Sequence, residues 1–311
     1  MAEAARDDVD EIFVYMGGNQ QVPLGVRRAR IHVSVKIVRA RAFSNRRNLI
    51  SVEFHDGVEI IEELAFYGCQ SLRSIKLLGV RIIKANAFHN CRCLTDIEFG
   101  DKLERIEKYG FYSCIGLEKI RIPSVRTIGL RAFSYCRDLI AVECGECLMT
   151  LHEATFINCH NLKRIALPLK DDMVGDNVFD GCLDLTTVDL VGGIHQTVAS
   201  LHLGSWRNEM MDEINRINQN LPTIPTGRKT GVIQRRLRTV IRQLDYYKNE
   251  HHNLLKEATT LLELALWKTE LGYNRKDGNV AMDPLRTRAE SRVTSGADVV
   301  IKNVLPFLAL K

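Results

Sequence analysis

The chain carries a hydrophobic pattern that repeats every 22 or 23 residues. Its clearest marker is a phenylalanine, which occurs seven times at these intervals: Phe43, Phe66, Phe88, Phe111, Phe133, Phe156 and Phe179. An aliphatic residue lies five positions before each of them, as Ile61 does before Phe66. Self-similarity at a fixed period of this length indicates a repeat architecture.

Each repeat also contains a Leu-x-x-Ile-x-Leu segment, as in Leu72, Ile75 and Leu77. A polar position separates its last two apolar positions, and this alternation predicts a short strand with one face buried in the core. One such coil cannot bury its own apolar face, so the coils must stack. The pattern predicts an α+β chain: a solenoid of short parallel strands followed by an α-helical region.

The unit resembles the BspA-type leucine-rich repeat. The resemblance rests on Val80, the pair Ala87-Phe88, then Cys91, Leu94 and Ile97, and it extends over roughly residues 30–191. The segment 159–195 and the helices after it also resemble a large set of protist proteins. Two positions depart from the unit: Arg46 replaces the cysteine of the first copy, and Asp171 stands where an apolar residue belongs. The resemblance implies a role in binding or adhesion rather than catalysis.

After Leu190 a helical period replaces the repeat. Met210, Ile214 and Ile217 predict a helix that stops at Pro222, and a heptad pattern extends from Ile233 to Ala265. This apolar seam is expected to pack in a hairpin, against the last repeat, or against a second copy in a homodimer. The predicted boundaries are an N-terminal cap (1–30), seven repeats (31–192), a helical hairpin or coiled coil (193–271), and a flexible tail with an apolar end (272–311).

Six of the nine cysteines follow a repeat phenylalanine by three residues and form a column: Cys69, Cys91, Cys114, Cys136, Cys159 and Cys182. We expect them to be small core residues with a weak donor. The pair Cys144 and Cys147 has the spacing of a redox or zinc motif. The repeat turns Cys144 inward and Cys147 outward, so we expect no metal and no cofactor.

The net charge of +5 is unevenly distributed. Residues 1–200 hold 25 basic and 26 acidic residues, whereas residues 201–311 hold 18 and 12. On the outer side of the predicted strands the sign alternates over five coils: Glu53, Lys76, Glu98, Arg121 and Glu143. Parallel stacking would place each beside its opposite. The row is either a self-neutralised surface or a site that recognises a protein whose surface charges alternate in a matching way. It disfavours nucleic acid on this face, because binding to phosphates needs clustered positive charge.

The second candidate surface is a basic stretch on the predicted long helix. It contains Arg228, Lys229, Arg235, Arg236, Arg238 and Arg242, and no acid lies between Thr226 and Leu244. The helical spacing places Arg235, Arg238 and Arg242 on one face. This face is either solvated or binds an anionic partner, such as an acidic protein, lipid head groups or RNA.

The sequence shows no nucleophile-base pair, phosphate-binding glycine loop or paired catalytic carboxylates. We also expect the repeat array to lack a concave pocket, so an enzyme is disfavoured. No signal peptide or transmembrane stretch is recognisable, which favours a cytoplasmic location with reduced cysteines. The first hypothesis is therefore an intracellular, non-enzymatic protein-interaction scaffold. The alternatives are an adaptor for nucleic acid or anionic membrane, and a cell-surface adhesion protein.

Overall fold

The computed structural model describes residues 12–192, 198 and 204–273, with side chains as far as Trp267. Residues 1–11 of the predicted N-terminal cap and residues 274–311 of the predicted tail lie outside the described residues. The described chain forms two compact units. The first holds residues 12–192 and 212–241, and the second holds residues 198, 204–211 and 242–273.

The first unit is a solenoid of parallel strands. In chain order, the strands are β1 (Ile12–Tyr15), β2 (Arg28–Ile31), β3 (Ile37–Val38), β4 (Ser51–Glu53), β5 (Ile60–Ile61), β6 (Ser74–Leu77), β7 (Ile82–Ile83), β8 (Asp96–Phe99), β9 (Arg105–Ile106), β10 (Lys119–Ile122), β11 (Thr127–Ile128), β12 (Ala141–Cys144), β13 (Thr150–Leu151), β14 (Arg164–Pro168) and β15 (Thr187–Val191). Each full coil contributes one strand of three to five residues and, in most coils, one two-residue strand. The predicted solenoid is confirmed.

The strands form three parallel sheets. The longer strands make a sheet with the order β1-β2-β4-β6-β8 and another with the order β10-β12-β14-β15. We call the outer side of these longer strands the strand face. The two-residue strands make a third sheet, β3-β5-β7-β9-β11-β13. In β6 the side chains of Ile75 and Leu77 are buried and Lys76 is exposed, as the period of two predicts.

The core of the solenoid is a stack of the seven repeat phenylalanines. Neighbouring rings lie 4.9–6.2 Å apart between centroids and are tilted by no more than 10°. This spacing follows the distance between hydrogen-bonded strands. Tyr15 extends the stack at its N-terminal end, with its ring 5.2 Å from that of Phe43.

The turns between the short strand of one coil and the next leucine are also hydrogen-bonded from coil to coil. We call their outer side the turn face. The N–H of each repeat phenylalanine from Phe43 to Phe156 donates to a carbonyl of the following coil, as Phe66 does to Ala87 at 2.8 Å. Each column cysteine donates its Sγ–H to a phenylalanine carbonyl of the preceding coil, at 3.0–3.3 Å. All nine cysteines are free.

The departures from the repeat have partners of their own. Arg46, in the cysteine column, donates from Nε to the carbonyl of Val22 at 3.0 Å, so it also binds the preceding coil. Asp171 is exposed, and Arg238 approaches its carboxylate at 3.8 Å. Polar side chains are therefore tolerated at the ends of the array, where they find charged or carbonyl partners.

Two helices follow the repeats: α1 (Gly204–Asn220) and α2 (Lys229–Tyr273). They are joined through two 3-10 turns, Leu221–Thr223 and Thr226–Arg228. The proline-containing linker predicted from the sequence is thus confirmed as a break between helices. Of the seam of α2, the side chains of Ile233, Leu237, Val240, Leu244 and Tyr247 are buried within the single chain.

The helices supply a partner for the last repeat phenylalanine. No further coil follows Phe179 within the described ranges, and its N–H donates instead to the Oγ1 atom of Thr230 at 2.9 Å. The same oxygen lies 3.2 Å from the Asp180 carboxylate, to which it donates. A side chain of α2 therefore occupies the place that a backbone carbonyl holds in the preceding coils.

Two carboxamide side chains act in the same way. The carbonyl of Val174 accepts from Nε2 of Gln234 at 2.8 Å, whereas its counterpart one coil earlier, Leu151, accepts from the N–H of Gly175. On the outermost strand, the N–H of Val188 donates to the Oδ1 atom of Asn218 at 2.8 Å. Both contacts satisfy backbone groups on the open edge of the last coil.

Lys229 satisfies three further backbone groups. Its Nζ atom donates to the carbonyls of Cys182, Leu183 and Leu185 at 2.9, 2.8 and 2.9 Å. Lys229 is only 2% exposed. A buried ammonium requires acceptors of this kind because its three protons have lost water.

The N-terminal edge is closed more sparsely. The N–H of Met16, the residue after β1, donates to Oε1 of Gln20 at 2.6 Å, and Nε2 of Gln20 donates to the carbonyl of Val14 in β1 at 3.2 Å. The side chain of Gln20 thus pairs with the outer edge of the first strand. Both ends of the described array use side-chain amides where a further coil would use its backbone.

The second unit contains parts of both helices. The rings of Trp206 and Tyr247 stack with centroids 4.9 Å apart, and the Tyr247 hydroxyl donates to Glu209. Farther along α2 the apolar side chains of Leu254 and Trp267 are exposed. The predicted heptad seam is therefore buried in its first half and open at Leu254, and a coiled coil remains a prediction.

Candidate interaction surfaces

The predicted charge row lies on the strand face with all five side chains exposed. Its members form pairs rather than a continuous ladder. Lys76 and Glu98 are 2.7 Å apart and Arg121 and Glu143 are 3.8 Å apart, each pair at the same register of neighbouring strands. Glu53 pairs at 2.5 Å with Arg30 of β2. The predicted juxtaposition is thus found for two pairs, and partner binding by this row stays a prediction.

The electrostatics of these pairs are local. The hydrogen bond from Lys76 to Glu98, and next the charge of that carboxylate, raise the pKa of the Lys76 ammonium. Asp189 has the same effect on the pKa of Arg164. Because both cations are exposed, water and salt screen these attractions.

The expectation that the array has no concavity is wrong. A depression of about 460 Å³ opens on the strand face beside Ala166, the small residue that interrupts the charge alternation. It is lined by two ion pairs, Arg121 with Glu143 and Arg164 with Asp189. An alanine leaves a hollow here because its neighbours in the same row have long side chains.

The basic face of α2 is less available than its sequence suggests. Arg238 lies 2.9 Å from the carboxylate of Asp172, and Arg236 lies 2.9 Å from that of Glu213. Arg235 and Arg242 are exposed and have no ion pair among the described residues. Local carboxylates thus neutralise part of the stretch, and an anionic partner for the rest stays a prediction.

A second depression, of about 870 Å³, adjoins the start of α2. Arg228 and Arg235 line it on the helix side, and Asp176 and Asp180 line it on the side of the last coil. Its charged groups are therefore of both signs. It occupies the position where the turn of an eighth coil would continue the array.

The cysteines are placed as the repeat predicts. Cys144 is buried, and burial raises the pKa of its thiol to about 12, whereas Cys147 is exposed. Burial also raises the pKa of Cys69, Cys114 and Cys182 to about 12. No group of metal-binding side chains occurs among the described residues.

The structure also shows a surface that the sequence reasoning missed. Five half-buried rings form a contiguous group on the turn face, which we call the aromatic cluster: Tyr67, His89, Tyr109, Tyr112 and Tyr135. Their centroids are 5.0, 4.7 and 5.3 Å apart along Tyr67-His89-Tyr112-Tyr135, and Tyr109 lies 5.6 Å from Tyr112. Tyr67, His89 and Tyr112 each follow a repeat phenylalanine directly, so an alignment of the seven units would have revealed them.

Burial affects two titrating members of the aromatic cluster. It lowers the pKa of His89 and raises the pKa of Tyr112. Arg131 opposes the change at Tyr112, so its guanidinium acts electrostatically on this ring. Both shifts favour the uncharged forms of His89 and Tyr112.

Within the part of the chain that the structure describes, no helix is long and apolar enough to cross a membrane.

Comparison with known proteins gives a family and a fold. The model of the BspA type leucine rich repeat region, in six copies, matches residues 26–82 and 81–201. Among solved structures, the chain is similar to the T. pallidum leucine rich repeat protein TpLRR, at 28% identity and a TM-score of 0.42, over 50% of this chain and 77% of that one. No curated protein matches the chain.

The chain is also similar to two further solved structures, at lower identity. A leucine rich cell surface protein from Faecalibacterium prausnitzii is 18% identical, with a TM-score of 0.36 over 53% of this chain and 61% of that one. The pneumococcal vaccine antigen PcpA is 17% identical, with a TM-score of 0.31 over 59% and 67%. The chain thus spans less than two thirds of the Faecalibacterium protein. Because the family model covers more than half of the sequence and its unit recurs coil by coil in the structure, the chain belongs to the BspA-type leucine-rich repeat family.

Proposed function

We propose that this protein is a non-enzymatic protein-interaction scaffold whose solenoid carries the partner-binding surface. Proteins built on such repeats are typically interaction or cell-surface proteins. The observation that carries the proposal is the way the array ends. Side chains of the same chain satisfy several open backbone groups at the C-terminal end of the described array and two at its N-terminal end, while the lateral faces keep exposed polar side chains and half-buried rings.

The helices have a capping role in this proposal. Terminal units of repeat proteins must shield a core that no further repeat covers. The contacts of Asn218, Thr230 and Gln234 replace the missing backbone of a following coil, and Lys229 binds three carbonyls that would otherwise lack a partner. These contacts oppose further strand pairing at the C-terminal end of the array, so we expect partners to bind its sides.

The adaptor hypothesis for nucleic acid or anionic membrane is less well supported. It depends on the basic face of α2, where Arg236 and Arg238 are engaged by Glu213 and Asp172. Binding to phosphate would have to displace these carboxylates or rely on Arg235 and Arg242. A location at the cell surface, a homodimer through the open part of the seam and the predicted cytoplasmic location all remain predictions.

A pull-down experiment tests the proposal. The full chain is immobilised and exposed to a lysate of the cells that produce it, at low and at raised salt. We expect a specific protein that is retained at raised salt. Two variants locate the binding surface. The solenoid variant carries Lys76→Glu and Arg121→Glu on the strand face, and the helix variant carries Arg235→Glu and Arg242→Glu on α2. A partner retained by the helix variant and identified as protein supports the scaffold.

The opposite result has a clear signature. If the retained material is nucleic acid or lipid, retention falls steeply with salt because phosphate contacts release counterions. Loss of that retention in the helix variant, with no change in the solenoid variant, would establish the adaptor hypothesis and refute the scaffold.

A further inference from the structure

The turns of the solenoid carry a regular set of backbone donors. In each of the seven coils, the residues two positions before and two positions after the repeat phenylalanine have a left-handed backbone, with φ between +52° and +76°. In the first six coils, the N–H groups of all these residues donate to carbonyls of the following coil at 2.6–3.1 Å. Ala154 donates in this way to Asp176, and Asn158 to Asp180. Each turn therefore presents two outer donors to whatever lies on its C-terminal side.

The seventh coil keeps these donors but lacks their acceptors. Asn177 and Gly181 hold the two positions, with φ of +55° and +76°. Neither N–H has a hydrogen-bond partner among the described residues, whereas Thr230 accepts from the N–H of Phe179 between them. The helices thus satisfy the middle donor of this turn, and they satisfy the strand edge at Val188, but they leave the two outer donors open. We call these two N–H groups the turn edge.

The depression of about 870 Å³ beside the start of α2 adjoins the turn edge. Asn177 lines it, and so does Asp180, the residue before Gly181. On the helix side Gly227 and Gly231 line it, and the places where their Cβ atoms would lie are open in the described structure. Its volume is in the range of binding sites in proteins. A space of suitable size for a short peptide therefore lies beside unpaired backbone donors.

The charges of the depression do not select an anion or a cation. Arg228 and Arg235 are balanced in its lining by Asp176 and Asp180. The hydrogen-bond donors do select a ligand, because the same N–H groups bind peptide carbonyls in each of the six coils before. Those carbonyls are four residues apart, as in Asp176 and Asp180. A polypeptide segment folded like a repeat turn therefore has the acceptors that the turn edge requires.

We propose that the turn edge binds a short segment of a partner protein, which adopts the conformation of a repeat turn within the depression. Two carbonyls of the segment accept from the N–H groups of Asn177 and Gly181. This mode resembles the addition of a strand to an exposed sheet edge, in which main-chain hydrogen bonds hold the peptide. The inference rests on the proposed scaffold function, and it adds one edge of the last coil to the sides of the array.

The probe is a displayed library of short random peptides, selected on the immobilised full chain. Amide hydrogen exchange, followed by NMR of the isotope-labelled full chain, reports on the donors directly. Without peptide, Asn177 and Gly181 should exchange faster than Ala154 and Asn158, which hold the same positions one coil earlier and are hydrogen-bonded. We expect the enriched peptides to slow exchange at Asn177 and Gly181.

A variant that fills the depression tests where the peptides bind. Gly231→Leu should lower their affinity at least about tenfold, because the leucine side chain takes the space of the peptide. Its melting temperature should not fall, since leucine forms helices more readily than glycine. Gly204→Leu is the matched control, because Gly204 begins α1, is exposed and also has an open Cβ position, but does not line the depression. It should bind the peptides like the parent protein.

Four results would overturn the inference: no enriched peptide, unchanged exchange at Asn177 and Gly181 on peptide binding, unchanged affinity in Gly231→Leu, or slow exchange of both amides without peptide. The last result would mean that the turn edge is already covered. If the peptides bind but depend on Lys76 and Arg121, the scaffold function stands and the edge assigned here is wrong. If no peptide is enriched and the lysate experiment retains only nucleic acid or lipid, the scaffold function fails as well.

Discussion

A single repeat position shows how side-chain chemistry suits a stacked coil. The column cysteine is small enough for a fully packed interior, and its Sγ–H reaches a phenylalanine carbonyl of the preceding coil. In the first coil Arg46 also donates to the preceding coil, where the chain leaves room for a longer side chain. The donor is thus retained at this position although the residue type changes.

Thiol reactivity should divide the nine cysteines into two groups. Burial raises the pKa of Cys69 from 9.0 to about 12, which lowers its thiolate fraction on the order of a thousandfold. In the folded protein, iodoacetamide should modify Cys93 and Cys147 and leave the other seven intact, as read by mass spectrometry of peptides. The unfolded protein is the control, in which all nine should react. Rapid modification of Cys91 or Cys114 in the native state would contradict the packed column.

The ion pair of Lys76 should make a small, salt-dependent contribution. Lys76→Glu places two carboxylates side by side with Glu98, so the melting temperature should fall at low salt and recover as salt is added. Because Glu98 raises the pKa of Lys76, the pair stabilises the fold below the unfolded pKa of lysine and is lost as pH rises through the folded value. Lys119→Glu, on the same face next to Arg121, is a control for a change of net charge. Equal melting temperatures of parent and Lys76→Glu at low salt would show that the pair contributes nothing.

At the scale of elements, the helices complete the array through side chains. A strand at the edge of a sheet presents unpaired N–H and C=O groups, which cost free energy when buried without partners. The structure meets this need with Thr230, Gln234 and Lys229 in the first two turns of α2. The start of the helix, rather than its length, therefore holds it to the last coil.

Replacing Lys229 tests this attachment. Lys229→Met keeps much of the side-chain volume but leaves three buried carbonyls without a donor, so we expect a loss of about 2–4 kcal/mol in the free energy of unfolding. Lys170→Met is the matched control, because its Nζ also binds two carbonyls, at 2.7 and 2.8 Å, but in a more exposed place. Urea unfolding of both variants measures the difference. Equal, small losses would mean that the contacts of Lys229 do not hold the end of the solenoid.

The sequence predicts the repeats well and their ends poorly, for a physical reason. Each coil repeats one set of local contacts, so the spacing of phenylalanine and cysteine was enough to give strands, core and the direction of Cys144. The contact between Phe179 and Thr230 and the ion pair between Arg238 and Asp172 each join residues that share no period. The repeat pattern does not predict the aromatic cluster, because an aromatic residue follows the repeat phenylalanine in only three of the seven units, at Tyr67, His89 and Tyr112.

At the scale of the whole molecule, the first unit behaves as a one-dimensional array. Each coil bonds to its neighbours, and among the strands that the structure describes none pairs with one beyond the adjacent coil. Stability in such arrays is a sum over coils and the interfaces between them. The array should therefore tolerate a change in the number of coils better than a shift in their register.

Deleting one complete unit tests this property. Removal of residues 67–88 joins Phe66 to His89, which keeps the repeat in register and leaves both described ends intact. We expect a folded protein with a cooperative melt, a lower melting temperature and a solenoid shorter by about 4.8 Å, the spacing of one coil. Small-angle scattering and circular dichroism measure length and melting. Removal of residues 67–77 is the control: it deletes half a unit, shifts apolar side chains out of the core and should unfold the array, so equal stability of the two deletions would contradict a coil-by-coil architecture.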